Sequence, residues 1–166
     1  MTTQKAIFAA GCFWGVQYYF DEVPGVVKTT VGYTGGYKDN PTYWEVASRK
    51  TGHAEAVLVE FDPDKVSYKT LLMHFFRLHD PTQLNRQGPD IGDEYRSAIY
   101  YYSEEQHKAA QDMIDMYNMH KKNDERKVVT TVEKAGKFWE AEPEHQKFTE
   151  KTGIGMCHIP YAPIRG

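Results

Sequence analysis

The sequence contains little cysteine, no long apolar run and no cluster of one charge. Two cysteines in 166 residues are too few for the disulfide framework of a secreted scaffold, so we expect a reducing, cytoplasmic setting. No apolar stretch approaches the roughly 20 residues of a membrane-spanning helix, and the short one near the N-terminus does not predict a signal peptide. The net charge is −3 and the basic residues are scattered. We therefore expect neither a membrane nor a nucleic acid as partner. A monomer is the default expectation, which the sequence leaves open.

The length and the pattern of apolar residues predict a single catalytic domain, 1–166, of the α+β class. The first six predicted elements have the order β-α-β-β-α-β, which is the ferredoxin-like arrangement of a mostly antiparallel sheet packed by helices. A further helix, a further strand, a short helix and an irregular C-terminal tail, about 153–166, are additions to this core. The predicted strands are 5–10, 26–33, 53–61, 97–102 and 127–132, and the predicted helices are 14–22, 67–79, 104–122 and 144–151.

Glycine-rich and polar stretches interrupt this pattern at three places. The cluster 32–36 is predicted to be a loop because it contains three glycines. Two longer connections, 38–51 and 80–96, are rich in polar and turn-forming residues. Long ordered loops in a compact domain tend to carry function, so we expect parts of the active site in them.

Cys12 is the first candidate for chemistry. It lies between Gly11 and Phe13, where an apolar strand pattern changes to a helix pattern. A cysteine at a helix N-terminus is exposed to free N–H groups and partial positive charge, which favour the thiolate form. A lone cysteine at the end of a strand is more often an inert core residue. The flanking glycines and the adjacent Phe13 and Trp14 favour a reactive sulfur beside an apolar wall.

Glu55 is the second candidate. Read with the period of a strand, Glu55 shares one face with Val57, Val59 and Phe61. A carboxyl group on that apolar face loses water, which raises its pKa. The alternative is that Glu55 lies at the strand end and reaches solvent. His74 and His79 do not have the spacing of a metal-binding pair, so we predict neither a metal site nor a bound cofactor.

Several motifs resemble those of the A-type peptide methionine sulfoxide reductases. The first, at 11–15, contains Cys12 and matches the nucleophile motif of that family. The others occur in the family's order and span most of the chain. They are Gly32-Tyr33-Thr34-Gly35-Gly36, Asn40-Pro41-Thr42-Tyr43, Gly52-His53-Ala54-Glu55-Ala56-Val57 and Tyr95-Arg96-Ser97.

This resemblance implies an enzyme that reduces methionine S-sulfoxide, in proteins and as an open possibility in free form, and so repairs oxidised proteins. It implies that Cys12 attacks the sulfoxide and becomes a sulfenic acid. Glu55 would supply the proton, Tyr33 and Tyr95 would bind the oxygen, and Asp90 would organise the site through water. The substrate would contact Phe13 and Trp14, which hold the methyl group, and also Tyr33, Glu55 and Tyr95.

Cys157 is the second thiol of the chain and lies between glycine-rich and irregular tail residues. The resemblance implies that it resolves the sulfenic acid as a disulfide with Cys12, which thioredoxin then reduces. The alternative is a tail cysteine without a role. Relatives often carry an additional recycling cysteine, which this sequence lacks. We therefore expect two catalytic thiols and no relay of three.

Two positions depart from the family pattern. Trp44 stands where an acidic residue is common, so it could widen the apolar wall or contact a peptide substrate. Asp93 and Glu94 stand where neutral residues are usual. They could add negative charge near the site and disfavour acidic substrates.

Three other functions compete with the reductase. A cysteine hydrolase would use Cys12 as nucleophile, His53 as base and Asp90 to orient the base. A general thiol–disulfide or peroxide reductase would not need Glu55 or the Phe13–Trp14 pair, and the sequence has no C-x-x-C motif. A non-enzymatic aromatic binding module would keep its affinity after Cys12→Ser. None of the three explains all the motifs together.

Overall fold

The computed structural model describes residues 2–122 and 125–155 of the chain. Its helices are α1 (Phe13–Asp21), α2 (Tyr43–Ala47), α3 (Tyr68–Leu78), α4 (Glu104–Met119) and α5 (Phe148–Thr152), with 3₁₀ turns at Asp93–Tyr95 and Pro143–His145. Its strands are β1 (Gln4–Ala10), β2 (Val26–Thr34), β3 (Ala54–Phe61), β4 (Arg86–Gln87), β5 (Asp90–Ile91), β6 (Ser97–Tyr101), β7 (Thr131–Lys134) and β8 (Trp139–Glu140).

The main sheet confirms the predicted ferredoxin-like core. Within the described ranges its strand order is β7-β6-β1-β3-β2-β8. The four central strands pair antiparallel, β6 with β1, β1 with β3, and β3 with β2. β7 is added in parallel beside β6, and β8 is added antiparallel beside β2. The two-residue strands β4 and β5 form a separate hairpin in the loop before β6.

The helices cover one face of this sheet. The larger apolar cluster joins that face to α1, α3 and α4, and it includes Phe8 of β1 and Val57 of β3. Ile7 and Ala9 alternate with these residues and belong to a smaller cluster on the opposite face. The alternation follows from the two-residue period of a strand. It places every second residue of β3, including Glu55, on the helical side.

Three predicted boundaries were wrong, each because tertiary contacts changed the backbone. The strand predicted at 26–33 extends to Thr34, so residues 32–34 of the predicted loop are strand, paired with β3 on one side and, at Gly32 and Tyr33, with β8 on the other. The strand predicted at 127–132 starts only at Thr131, since the backbone N–H groups of Val128 and Val129 donate to Asn118 and Pro81. The helix predicted at 144–151 is divided into a 3₁₀ turn and α5 by Lys147, which has a positive φ of 59°.

The long connections contain more structure than the sequence indicated. The connection 38–51 holds α2, which begins with a complete capping box between Thr42 and Glu45. The connection 80–96 holds the β4–β5 hairpin and a 3₁₀ turn. No helix among the described residues has both the length and the apolar character that crossing a membrane requires.

Candidate active site

Cys12 is the N-cap residue of α1 and is partly exposed. β1 ends at Ala10, and Gly11 makes the turn with a φ of 91°, which L side chains rarely adopt. Because the first N–H groups of a helix have no partner within the helix, the sulfur lies at a locally positive position. The predicted strand–turn–helix placement of this cysteine is confirmed.

Glu55 reaches the same helix N-terminus from β3. Its Oε1 accepts a hydrogen bond from the Phe13 N–H at 3.2 Å, so the carboxyl group lies beside the residue that follows the cysteine. The side chain is 2% exposed. Burial raises the pKa of Glu55 to about 8, against the opposing effect of the Phe13 hydrogen bond, and the charges of Glu94 and Asp90 raise it further. The carboxyl is therefore mostly protonated at neutral pH.

Two tyrosines are electrostatically coupled to both Cys12 and Glu55. Burial and the charges of Glu55, Cys12, Asp90 and Glu94 raise the pKa of Tyr43 to about 12. Burial and the charges of Glu55 and Cys12 raise the pKa of Tyr95 well above its usual range. Both phenols therefore keep their protons at physiological pH, and both interact electrostatically with the sulfur and the carboxyl.

Tyr33 lies beside Glu55 in the sheet, directly opposite it in the β2–β3 register. The side chain is fully buried, and its hydroxyl donates to Oε1 of Glu142 at 2.8 Å. Burial and this carboxylate raise the pKa of Tyr33 far above its usual range. The predicted oxygen contact from Tyr33 is at odds with this geometry, because its one proton is already donated.

Glu142 links Tyr33 to the loop that carries Tyr43. Its second oxygen, Oε2, accepts the backbone N–H of Tyr43 at 2.9 Å. Although partial burial opposes it, the hydrogen bond from the Tyr43 N–H lowers the pKa of Glu142, and the Tyr33 hydroxyl acts in the same direction. An ionised Glu142 thus fixes the start of α2, and with it the position of Tyr43.

Phe13 and Trp14 take different positions. Phe13 is fully buried, and its ring packs 5.7 Å from that of Tyr33. Trp14 is only partly buried; its ring stacks on Phe148 at 3.9 Å, and its indole N–H donates to Nδ1 of His145 at 3.0 Å. Trp14 therefore presents a fixed apolar surface, whereas Phe13 supports the site from within the core.

Asp90 and Glu94 bring further negative charge to the site. Both interact with Glu55 and Tyr43. Oδ2 of Asp90 is buried and has no hydrogen-bond partner within the described part of the chain. Glu94 is 2% exposed and faces Arg49, whose Nε lies 3.4 Å from Oε1. Burial raises the pKa of Glu94.

The structure rules out the hydrolase arrangement. His53 is buried, and both of its ring nitrogens are used by the loop 36–38: Nδ1 accepts the Gly36 N–H at 3.0 Å, and Nε2 contacts the Lys38 carbonyl oxygen at 2.7 Å. A base must have a nitrogen available for the nucleophile's proton. His53 instead fixes the glycine-rich loop.

Other histidines and carboxylates serve structure. Nδ1 of His74 contacts the Tyr19 hydroxyl, and the two nitrogens of His79 contact Phe75 O and Ser97 Oγ. Glu142, Glu144 and His145 place ligand atoms within 4.8 Å of one another. Two of these three residues already hold the tyrosine loop and the indole, so the hydrogen bonds above account for this cluster without a metal.

The roles of some site residues were not predicted from the sequence. Tyr43 was part of a recognised motif, but no residue spacing assigned it a role. Glu142, His145 and Phe148 lie more than 100 positions after the cysteine, and only the folded chain brings them to Trp14 and Tyr43. Cys157 and the rest of the tail from residue 156 lie outside the described residues.

The chain matches the family model described as peptide methionine sulfoxide reductase over residues 4–166. It is 52% identical over 155 residues to the peptide methionine sulfoxide reductase MsrA of Acidobacterium capsulatum, covering 93% of this chain and 99% of that one. It is 51% identical over 156 residues to the protein of the same name from Methanothermobacter thermautotrophicus, covering 94% and 92% of the two chains.

Solved structures show the same architecture. Methionine sulfoxide reductase A of Corynebacterium diphtheriae is similar with a TM-score of 0.83 and 34% identity, over 96% of this chain and 84% of that one. Mxr1 from Saccharomyces cerevisiae in reduced form is similar with a TM-score of 0.86 and 31% identity, over 99% and 93% of the two chains.

Proposed function

Because the chain belongs to the peptide methionine sulfoxide reductase family, we propose that it reduces methionine S-sulfoxide to methionine with Cys12 as nucleophile. The observation that carries the proposal is the hydrogen bond from the Phe13 N–H to Glu55. It holds a buried, protonated carboxyl group next to a partly exposed sulfur at a helix N-terminus. A nucleophile for sulfur beside an acid for oxygen is what removal of a sulfoxide oxygen requires.

In the proposed first step the Cys12 thiolate attacks the sulfoxide sulfur while the oxygen accepts the proton of Glu55. The oxygen then passes from the methionine sulfur to the cysteine sulfur. Methionine sulfoxide gains two electrons, and Cys12 loses two and becomes a sulfenic acid. Negative charge that develops on the oxygen is stabilised by nearby donors held in place before the reaction. We assign that role to the phenols of Tyr43 and Tyr95 and not to Tyr33, whose hydroxyl donates to Glu142.

The remaining residues of the site support this step. Trp14 would hold the methyl group of the substrate. Phe13 would support the site from within the core. Asp90 would order a water next to Glu55, since its Oδ2 makes no hydrogen bond to a described residue. The site needs no cofactor for this chemistry, because the cysteine supplies both electrons.

The second step restores the thiol. The thiol of Cys157 attacks the sulfenic sulfur of Cys12, water leaves, and a disulfide forms. A dithiol partner then reduces that disulfide by exchange. The family resemblance implies thioredoxin for this role, and Mxr1 has been crystallised in complex with Trx2. We propose that a single catalytic domain carries out these two steps, as a monomer in the cytoplasm.

Steady-state reduction of a methionine sulfoxide peptide tests the proposed function. With a small dithiol as reductant, we expect turnover of the S epimer alone and none by Cys12→Ser. Turnover of the R epimer, or activity that survives Cys12→Ser, would contradict the proposal. Ester hydrolysis without a reductant would contradict it as well.

A further inference from the structure

Trp44 is the exposed aromatic residue next to the proposed site. It is the second residue of α2, directly after Tyr43, and 78% of its surface is exposed. Single exposed apolar residues are common on protein surfaces and need no explanation by themselves. Trp44 differs from such residues because it lies next to the proposed site.

A row of aromatic rings joins Trp44 to the wall beside Cys12. The Trp44 ring lies 5.4 Å from the Tyr43 ring and nearly perpendicular to it. The Tyr43 ring lies 6.3 Å from that of Trp14, nearly parallel to it, and 4.4 Å from that of His145. Successive residues of an extended peptide are about 3.3 Å apart. From these two ring spacings we expect a side chain about three residues from a methionine sulfoxide bound at Trp14 to reach Trp44.

The surroundings of this row carry negative charge. Glu142 accepts the N–H of Tyr43, and Glu142 and Glu144 approach His145 within 4.8 Å. Asp90 and Glu94 act on Tyr43 from the opposite loop. Lys38 pairs with Glu45 at 3.0 Å, and Arg49 faces Glu94. These two cations therefore offset the charges of Glu45 and Glu94 but not those of the other acidic residues around this row. A surface of this kind attracts cations and repels anions.

We propose that Trp44 forms a subsite for a cationic side chain, lysine or arginine, in the peptide that carries the methionine sulfoxide. The inference rests on the proposed function and adds a substrate preference to it. A cation over the face of an indole is attracted by the ring electrons, and a guanidinium also stacks on the ring. The acidic residues around the row strengthen the preference at longer range, and the exposed indole provides the contact.

The test uses methionine sulfoxide peptides that differ at a single position. At each of the three positions on either side of the sulfoxide, the residue is lysine, norleucine or glutamate in turn. We measure kcat/KM for the wild type and for Trp44→Ala. The wild type should favour lysine over norleucine, and norleucine over glutamate. At the preferred position, Trp44→Ala should lower the lysine-to-norleucine ratio about two- to fivefold.

Tyr102→Ala is the matched control. Tyr102 is also an exposed aromatic residue, at 46%, but it follows the end of β6 away from the site. Its removal should leave the ratio unchanged. A ratio that Trp44→Ala leaves unchanged at every position overturns the inference. An equal loss of kcat/KM by Trp44→Ala on the lysine and norleucine peptides gives such an unchanged ratio and shows apolar contact alone. Failure of the wild type to reduce N-acetyl methionine sulfoxide would instead contradict the proposed function.

Discussion

Glu55 stays protonated near neutral pH, and its carboxyl group still contacts the backbone next to the reacting cysteine. A carboxyl group that is exposed to water would be ionised at this pH. Its position on the helical face of β3 removes it from solvent, and the hydrogen bond from Phe13 N–H fixes its direction. The proposed chemistry thus depends on one carboxyl group whose pKa is about 8.

Replacement of this acid by an amide should slow the chemical step. We expect Glu55→Gln to lower the single-turnover rate by a factor on the order of 10² to 10⁴, because the amide cannot donate a proton to the leaving oxygen. Glu60→Gln, on the same strand but partly exposed, is the control and should have little effect. Rapid-quench measurement of methionine gives both rates. A Glu55→Gln variant as fast as the wild type would remove Glu55 from the mechanism.

The same pKa predicts the pH dependence. Only the protonated carboxyl donates, and its pKa of about 8 means that the active form is lost as the pH rises through 8. The wild-type single-turnover rate should therefore fall on the alkaline side, and the residual rate of Glu55→Gln should not show that fall. An alkaline limb that persists unchanged in the variant would assign it to another group.

Tyr43 and Tyr33 form a matched pair of phenols, one coupled to the cysteine and one bound to Glu142. Tyr43→Phe should lower the single-turnover rate at least roughly tenfold, because it removes a donor to the developing oxyanion. Tyr33→Phe should cost about 1 kcal/mol of stability through the lost hydrogen bond to Glu142, with a smaller loss of rate. Single-turnover kinetics and urea unfolding measure the two effects. A larger rate loss in Tyr33→Phe would reverse the assignment.

Among the elements, those with strong local patterns were predictable from the sequence. The core strands and helices matched within a few residues, because each has a clear alternation or helical period. The face of Glu55 followed from the same alternation in β3. In contrast, β8 was missed, and the loop predicted from residue 32 begins only after Thr34, because β2 pairs with β3 as far as Thr34 and with β8 at Gly32 and Tyr33.

Gly32 makes that pairing possible. A Cβ at this position would lie 2.6 Å from the Phe138 ring and against the Trp139 carbonyl oxygen. We expect Gly32→Ala to destabilise the protein by about 1–3 kcal/mol through overpacking. Gly136→Ala is the control, because nothing lies within 4 Å of its added Cβ, and its stability should stay within about 0.5 kcal/mol of the wild type. Chemical denaturation measures both, and equal stability of the two variants would contradict this packing.

At the scale of the whole molecule, the site is assembled from segments far apart in the chain. The cysteine and the acid come from the predictable core, where strand ends meet a helix N-terminus. Glu142, His145 and Phe148 come from the additions after β7, and they fix Tyr43 and Trp14. Sequence patterns indicate local structure only. They therefore could not predict which distant residues contact Tyr43 and Trp14.

The resolving role of Cys157 is a prediction about the whole chain, because it requires the tail to reach Cys12. Cys157→Ser should release one equivalent of methionine in the first turnover and then stop with thioredoxin as reductant. A small dithiol should still restore some turnover, since it can attack the sulfenic acid directly. Full recycling of Cys157→Ser by thioredoxin would exclude the resolving role and leave the first step intact.

The most direct test of the central claim mixes the fully reduced protein with a methionine sulfoxide peptide of known epimer composition and no reductant. Methionine formed per protein and the mass of the protein afterwards are then measured. The account predicts one equivalent of methionine, from the S epimer only, with a Cys12–Cys157 disulfide in the product. No methionine, or methionine formed without any oxidation of Cys12, would contradict it.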